Sequence, residues 1–467
     1  MNPKAFREYD IRGVAERDLD DATVRALGIA IGQRVTANLI DGAKAGPVVV
    51  GRDCRTTSPR LFAALTEGIR VHAEVIDIGV VPTPLVYFCA VGGVPELAPS
   101  ASIVITGSHN PPEDNGFKIM IGKDTLHGPA IAALRDEVAK LLESPAPHPT
   151  RAMHSRDVIS AYDAAVQQRL RMGKRRFKVV VDAGNGSGGP TAVGLYRRLG
   201  FDVVPLYCDL DGTFPNHHPD PTQPENVKDL TAMVQSAGAE IGIALDGDAD
   251  RIGAVDSTGR ILWGDQLMIL FGKAVLAEVP HAKFVGEVKC SQAMYDQLAA
   301  AGGEVEMWKV GHSLIKARMK ETGAQLAGEM SGHMFFAHRW FGFDDAVYAG
   351  ARMLELLSNS TRTLAQLADE LPVMINTPEI RVDCPDDKKF AVVAEVTKRL
   401  REHPDVIGVV DVDGVRAKFA GGWGLVRASN TGPVLVMRCE ADTKANLAEI
   451  RGLIESTIAA ATATVSA

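Results

Sequence analysis

The chain has 467 residues, 46% of them hydrophobic and 23% charged, enough for several domains with full cores and too apolar to remain disordered. Its net charge is −8, from 58 acidic and 50 basic residues, and without a basic excess no nucleic-acid partner is expected. No stretch is apolar for long enough to span a membrane, and residues 1–13 are polar and charged, so neither a membrane span nor a signal peptide is expected.

In chain order, Pro47-Val-Val-Val reads as a strand, followed by a polar loop over 51–58, a helix over 59–71 and a strand over 74–78. Ala101-Ser-Ile-Val-Ile is a further strand, and the Pro-rich run Ser144-Pro-Ala-Pro-His-Pro-Thr marks a boundary near residue 150. The strand–helix–strand order returns at Phe177-Lys-Val-Val-Val, with a Gly-rich loop, a helix over 190–199 and a strand over 201–206. Strands over 241–244 and 252–255 precede the turn Asp256-Ser-Thr-Gly, a second boundary. A third copy follows: a strand at Phe284-Val-Gly-Glu-Val, a helix over 291–301 and a strand over 304–308, with a boundary near Leu371-Pro372. Beyond it the pattern changes to a helix over 387–402, short strands with a turn at Asp413-Gly414, and a last helix over 444–458. Buried strands alternating with helices make α/β layers. The expected fold is α/β: three similar mixed-sheet domains (1–150, 151–256, 257–370) and a smaller C-terminal α+β domain (371–467). Six cysteines stand singly with no C-x-x-C pair, as free thiols in a reducing cytoplasm would.

Four motifs carry chemistry. Thr106-Gly-Ser-His-Asn-Pro-Pro holds Ser108 in a tight turn at a strand end, with His109 beside it and no side chain on Gly107 to crowd a phosphoryl group. Alone, such a turn is more often structural, and the G-x-S-x-G frame of an acyl-transfer hydrolase is missing. Leu245-Asp-Gly-Asp-Ala-Asp-Arg places Asp246, Asp248 and Asp250 on one short loop. Three close carboxylates repel unless a hard cation neutralises them. The EF-hand pattern fails, because the twelfth residue is Ser257 and strands flank the loop. Arg251 adds a cation beside this loop. Gly328-Glu-Met-Ser-Gly-His-Met offers Glu329 and Ser331, a pair suited to neighbouring sugar hydroxyls, although by itself such a segment reads first as a surface turn. Arg427-Ala-Ser-Asn-Thr-Gly-Pro sets a guanidinium and three short polar side chains on a turn that can nest an anion or simply close a hairpin. Gly184-Asn-Gly-Ser-Gly-Gly also fits a dinucleotide fingerprint. Asp182 before the glycines, Pro190 at the helix start and the unexplained serine and aspartate motifs argue against that reading.

In this order the four motifs resemble the α-D-phosphohexomutase superfamily, most closely its bacterial phosphomannomutase/phosphoglucomutase branch. Phe6-Arg-Glu-Tyr-Asp-Ile-Arg-Gly is similar to that family's N-terminal segment. The resemblance implies four domains around one central cleft, each giving one motif. It implies Ser108 as the phosphoserine and Asp246, Asp248 and Asp250, with Ser108, as ligands of one Mg²⁺. Glu329 and Ser331 would hold sugar hydroxyls, with His333 close by. Arg427, Ser429, Asn430 and Thr431 would hold the phosphate that is not reacting. Tyr9, Arg12, His109, Lys118, Arg251, Lys289 and His312 match positions lining the family's cleft, and Lys118, His109 and His312 are alternatives for the general acid/base. Ala249 stands where many relatives carry glycine.

The implied reaction interconverts hexose 1-phosphate and hexose 6-phosphate, of mannose and/or glucose. It runs through phosphoserine and a hexose 1,6-bisphosphate, with glucose 1,6-bisphosphate as activator. The expected partners are hexose phosphates alone, for a cytoplasmic monomer. A phosphoglucosamine mutase, or a phosphatase using the same phosphoserine and metal, remains an alternative.

Overall fold

The β-branched run at Val48–Val50 does what its side chains favour: it forms the strand Val48–Arg52, buried over 48–51, at the centre of a mixed sheet. A computed structural model describes residues 1–37, 45–145, 147–429 and 432–466; the expected phosphate ligands Asn430 and Thr431 lie outside the described residues. The chain divides into two compact units, Met1–Ala274 with Ser331–Asp369, and Val275–Met330 with Glu370–Ala467.

The first unit holds two sheets. In one, Ile11–Val14, Asp114–Ile121, Ala101–Ile105, Val48–Arg52, Val75–Val80 and Met153–Ser155 lie side by side in that order. Its centre is parallel, with Val48 opposite both Val75 and Ala101. The return strand Asp114–Ile121 runs antiparallel and sets Lys118 opposite Val104, one residue before the strand end that leads to Ser108. Helices Asp21–Ala37, Ser58–Ile69 and Pro129–Leu141 bury apolar faces in this sheet's core, each fully buried Leu, Ile or Val contributing about 1.5–3 kcal/mol.

The second sheet runs Ile261–Leu262, Ile252–Asp256, Ile241–Leu245, Lys178–Asp182, Asp202–Leu206. Leu245 pairs with Ile252 in an antiparallel hairpin, so the aspartate loop is the connection at its tip. Helix Ala346–Asn359 is capped by Asp345, whose carboxylate accepts from Tyr348 N at 2.8 Å. Ala346 N donates to Ala249 O at 3.2 Å, tying that helix start to the aspartate loop.

In the second unit, Glu304–Trp308, Lys283–Glu287 and Leu326–Gly328 are parallel in that order. The strands Ile375–Asn376, Val434–Ala441, Gly422–Ala428, Val415–Phe419 and Gly408–Val410 form an antiparallel sheet, with Ile380–Asp383 also paired to Val434–Ala441. Helices Lys389–Glu402 and Lys444–Ser466 share its core. This is the expected α+β domain. Its last helix continues well past residue 458, because the Ala- and Thr-rich tail carries no Gly or Pro to stop it. Among the described residues no helix is long and apolar enough to cross a membrane.

Candidate active site

Within the first unit the serine and aspartate loops meet. Ser108 is buried and adopts φ 51°, in the left-handed region that a non-glycine residue enters only when its surroundings hold it there. Its N–H donates to Thr106 Oγ1 at 2.8 Å, and its hydroxyl donates to Asp246 Oδ2 at 2.9 Å. His109 Nδ1 lies 3.0 Å from the same Oγ. Loss of solvent around the His109 ring, reinforced by the Arg251 and Arg12 guanidinium groups, pushes its pKa well below the usual imidazole value, so the ring is neutral. Arg12 reaches the loop too, donating to Asn110 Oδ1 at 3.0 Å and to Asp10 at 2.6 Å. Tyr9 is half-buried just before the strand that carries Arg12.

The aspartate loop is buried. Asp246, Asp248 and Asp250 are at most 1% exposed, and one ligand oxygen from each lies within 4.8 Å of the others. Asp246 Oδ1 accepts from the N–H groups of Asp250 and Arg251, which folds the loop back on itself. Burial, then the charges of Asp250 and Asp248, drive the Asp246 pKa well above the carboxylate range. Asp250 goes the other way: burial opposes ionisation, but Lys118 and His333 overcome it. Lys118 Nζ donates to Asp248 Oδ2 at 2.7 Å and to Asp250 Oδ2. Burial would neutralise this amine, yet Asp248 and Asp250 raise its pKa well above the usual lysine value, so it is a fixed cation.

Without a further cation the three aspartates do not ionise together: Asp246 is pushed toward its protonated form. Asp248 Oδ1 is buried with no hydrogen-bond partner, and an orphaned hard oxygen in an anionic cluster is what a divalent cation requires. The residues therefore fit a metal ion.

His333, expected to bind substrate beside Glu329 and Ser331, joins this cluster. Its Nε2 lies 3.2 Å from Asp250 Oδ1 and 3.2 Å from Arg251 Nε; its Nδ1 lies 3.2 Å from Ser331 Oγ. Thr83 was missed by sequence reasoning. Its hydroxyl donates to Asp248 Oδ2 at 2.5 Å and its N–H to Asp248 O at 2.9 Å. The Gly-rich loop is a seat for the aspartate loop: Ser187 N donates to Gly247 O at 2.9 Å, and a Cβ on Gly186 would sit 2.6 Å from that oxygen.

In the second unit the remaining predicted residues form their own polar group. Glu329 accepts from Gly311 N at 2.8 Å, next to His312, which opens the helix His312–Thr322. Lys289 Nζ donates to Glu379 at 3.3 Å; burial opposes its charge, but Glu287, Glu379 and Glu329 together raise its pKa. Arg427 donates to Asp413 at 3.0 Å, and the carbonyl of Ser429 accepts from Lys389 Nζ at 2.6 Å. Glu287, Glu379, Asp413 and Lys389 were not anticipated. Glu287 and Asp413 lie in a strand and a turn read only as structure, and Glu379 and Lys389 lie in segments with no motif of their own.

Family models for the phosphoglucomutase/phosphomannomutase alpha/beta/alpha domains I, II and III match residues 3–144, 160–259 and 263–374, and the model for the C-terminal domain matches 379–455. This chain belongs to the phosphoglucomutase/phosphomannomutase family. A phosphomannomutase/phosphoglucomutase of Pseudomonas aeruginosa is 44% identical over 456 residues, covering 97% of this chain and 95% of that one. A phosphoglucomutase of Neisseria gonorrhoeae is 41% identical over 460 residues, covering 97% and 96%. The crystal structure of a phosphoglucomutase/phosphomannomutase family protein from Burkholderia thailandensis superposes with TM-score 0.90 at 39% identity, covering 99% of this chain and 98% of the other. Membership of the phosphoglucomutase/phosphomannomutase family agrees with the order of the four motifs, and the three α/β domains and the C-terminal domain are those of the family.

Proposed function

We propose that this chain, a phosphohexomutase by family, interconverts hexose 1-phosphate and hexose 6-phosphate, of mannose and glucose, by passing a phosphoryl group through Ser108. The observation that carries this reading is the Ser108 hydroxyl, 2.9 Å from Asp246 Oδ2 and buried with two further carboxylates and Lys118. Such a site suits phosphoryl transfer, which needs positioning and charge neutralisation more than covalent chemistry.

Asp246, Asp248 and Asp250 would hold Mg²⁺, with a Ser108 oxygen as a further ligand; when bound, the ion neutralises negative charge on the phosphoryl oxygens. Lys118 and Arg251 supply fixed positive charge at the same loop. In the forward half the bond between phosphorus and Ser108 Oγ breaks, and a new one forms to the free hydroxyl of the substrate. That gives hexose 1,6-bisphosphate, glucose 1,6-bisphosphate among them. The hydroxyl's proton passes to the serine side, where neutral His109 has Nδ1 within hydrogen-bond reach of Oγ. Lys118, pinned by two carboxylates, serves as a cation before it serves as a base. The return half sends the other phosphate to Ser108.

In this reading Glu329, Ser331 and His333 hold sugar hydroxyls, and Arg427 with Ser429, Asn430 and Thr431 holds the idle phosphate. Tyr9, Arg12 and Lys289 make the remaining substrate contacts, and His312 is the alternative to His109 and Lys118 as general acid/base. The four segments 1–150, 151–256, 257–370 and 371–467 are its domains. Six free cysteines support work in the cytoplasm, and a monomer suffices because one chain carries every group named.

The test is intact mass with and without hexose bisphosphate. One phosphate on the peptide containing Ser108 is expected, and Ser108→Ala should lose nearly all turnover while still binding hexose phosphate. A fully active Ser108→Ala protein overturns the reading.

A further inference from the structure

The serine loop is buried over residues 106–108 and half-buried to exposed beyond, and it is irregular throughout, so its inner carbonyls need partners that no regular ladder supplies. One side chain reaches four of them. Arg55 leaves the end of the strand Val48–Arg52 with its side chain fully buried. Its Nη2 donates to Ser108 O at 2.7 Å and to Asn110 O at 2.6 Å. Its Nη1 donates to Asp114 O at 2.9 Å and to Pro111 O. Its Nε donates to Asp53 Oδ2 at 3.2 Å. The guanidinium is closely packed. Gly107 lies so near that a Cβ there would sit 2.5 Å from the guanidinium carbon, and the Phe214 ring lies 5.0 Å from that carbon. Asp53 completes the device by accepting from Gly107 N at 3.1 Å and from Ser58 Oγ at 2.6 Å.

We infer that Arg55 is a positioning residue for Ser108: its planar fork fixes the carbonyls of 108, 110, 111 and 114 at once, and so holds Ser108 in the left-handed conformation that sends Oγ to Asp246. This rests on the reading of Ser108 as the phosphoryl carrier. Only a guanidinium has enough donors in one plane to do this; an ammonium would reach fewer carbonyls and could not hold them coplanar. Arg55 makes none of the contacts proposed for substrate, so its removal should degrade transfer and spare binding.

The experiment uses the full chain. Arg55→Lys should melt cooperatively with an unchanged KM for hexose phosphate and a kcat lower by roughly 100-fold, the penalty of misplacing a reacting atom by about 1 Å. Phosphorylation of Ser108 by hexose bisphosphate in a single turnover should slow in parallel. Turnover of Arg55→Ala should rise with millimolar guanidinium chloride and not with sodium chloride. Wild-type kcat in Arg55→Lys, a KM that rises to match the loss, or no guanidinium rescue would overturn the inference, as would failure of both variants to fold. A wild-type protein that never carries phosphate on Ser108 would instead sink the reading beneath it.

Discussion

Asp248 has one oxygen held and one left over, and that asymmetry is what a metal ligand needs. Thr83 and Lys118 bind Oδ2, Thr83 N–H grips the main-chain carbonyl, and Oδ1 stays buried without a partner. Groups that orient a ligand from behind are worth about 10- to 100-fold in metal affinity. Thr83→Val keeps the shape and deletes the hydroxyl, so the Mg²⁺ concentration for half-maximal activity should rise by about 10- to 100-fold, with kcat recovered at saturation. An unchanged activation curve would show that Lys118 alone orients Asp248. This contrast also marks how much of the site the sequence reveals. Ser108 and the three aspartates are legible because their chemistry is packed into a few adjacent residues. Thr83 and Arg55 carry no such signal: each acts on a loop that is distant in the chain, and its type is ordinary for the turn or helix start where it stands.

At the scale of elements, the helix Ala346–Asn359 is anchored by a carboxylate in an apolar setting. Asp345 accepts from Tyr348 N, from Tyr162 OH at 2.9 Å and from Trp340 Nε1 at 3.0 Å, while Trp340 stacks on Tyr348 with ring centroids 4.3 Å apart. Burial outweighs these donors and pushes the pKa up to about 7, from 3.8. The folded-state value is the higher one, so the stability linked to this proton is complete below pH 3.8 and is lost as pH rises to about 7. Over the whole span this amounts to at most about 4 kcal/mol. Asp345→Asn keeps the cap and cannot ionise. Its melting temperature relative to wild type should therefore climb between pH 5 and pH 7 and level off above; a constant difference would mean Asp345 is ionised throughout. The elements themselves were unevenly visible. The strand–helix–strand copies at 48, 178 and 284 stand out by β-branched runs and periodicity. The helix Thr83–Ala90 did not, because it is buried on every side and has no polar face to give a period. The return strand Asp114–Ile121, which carries Lys118, follows the proline turn too closely to stand out.

For the whole molecule, linear order conceals one fact that matters energetically: residues 331–369 pack with the first 274, so a late segment completes the unit that holds the aspartate loop. His333 and Asp345 both enter that unit through this segment. Lys118 and Arg251 do not fully offset the three buried aspartates, and Asp246 is pushed toward its protonated form, a penalty that a divalent cation would remove. A cation that binds the folded chain and not the unfolded one stabilises it by about 2.7 kcal/mol at a concentration 100 times its Kd. Calorimetry should therefore show a melting temperature that rises with the logarithm of Mg²⁺ concentration and falls on chelation. Asp248→Asn, which swaps a charged ligand for a neutral one and relieves part of the repulsion, should melt higher than the wild type in chelator and respond less to Mg²⁺. If both proteins respond equally, the ion acts elsewhere on the surface, and the aspartate loop is balanced by Lys118, Arg251 and His333 without it.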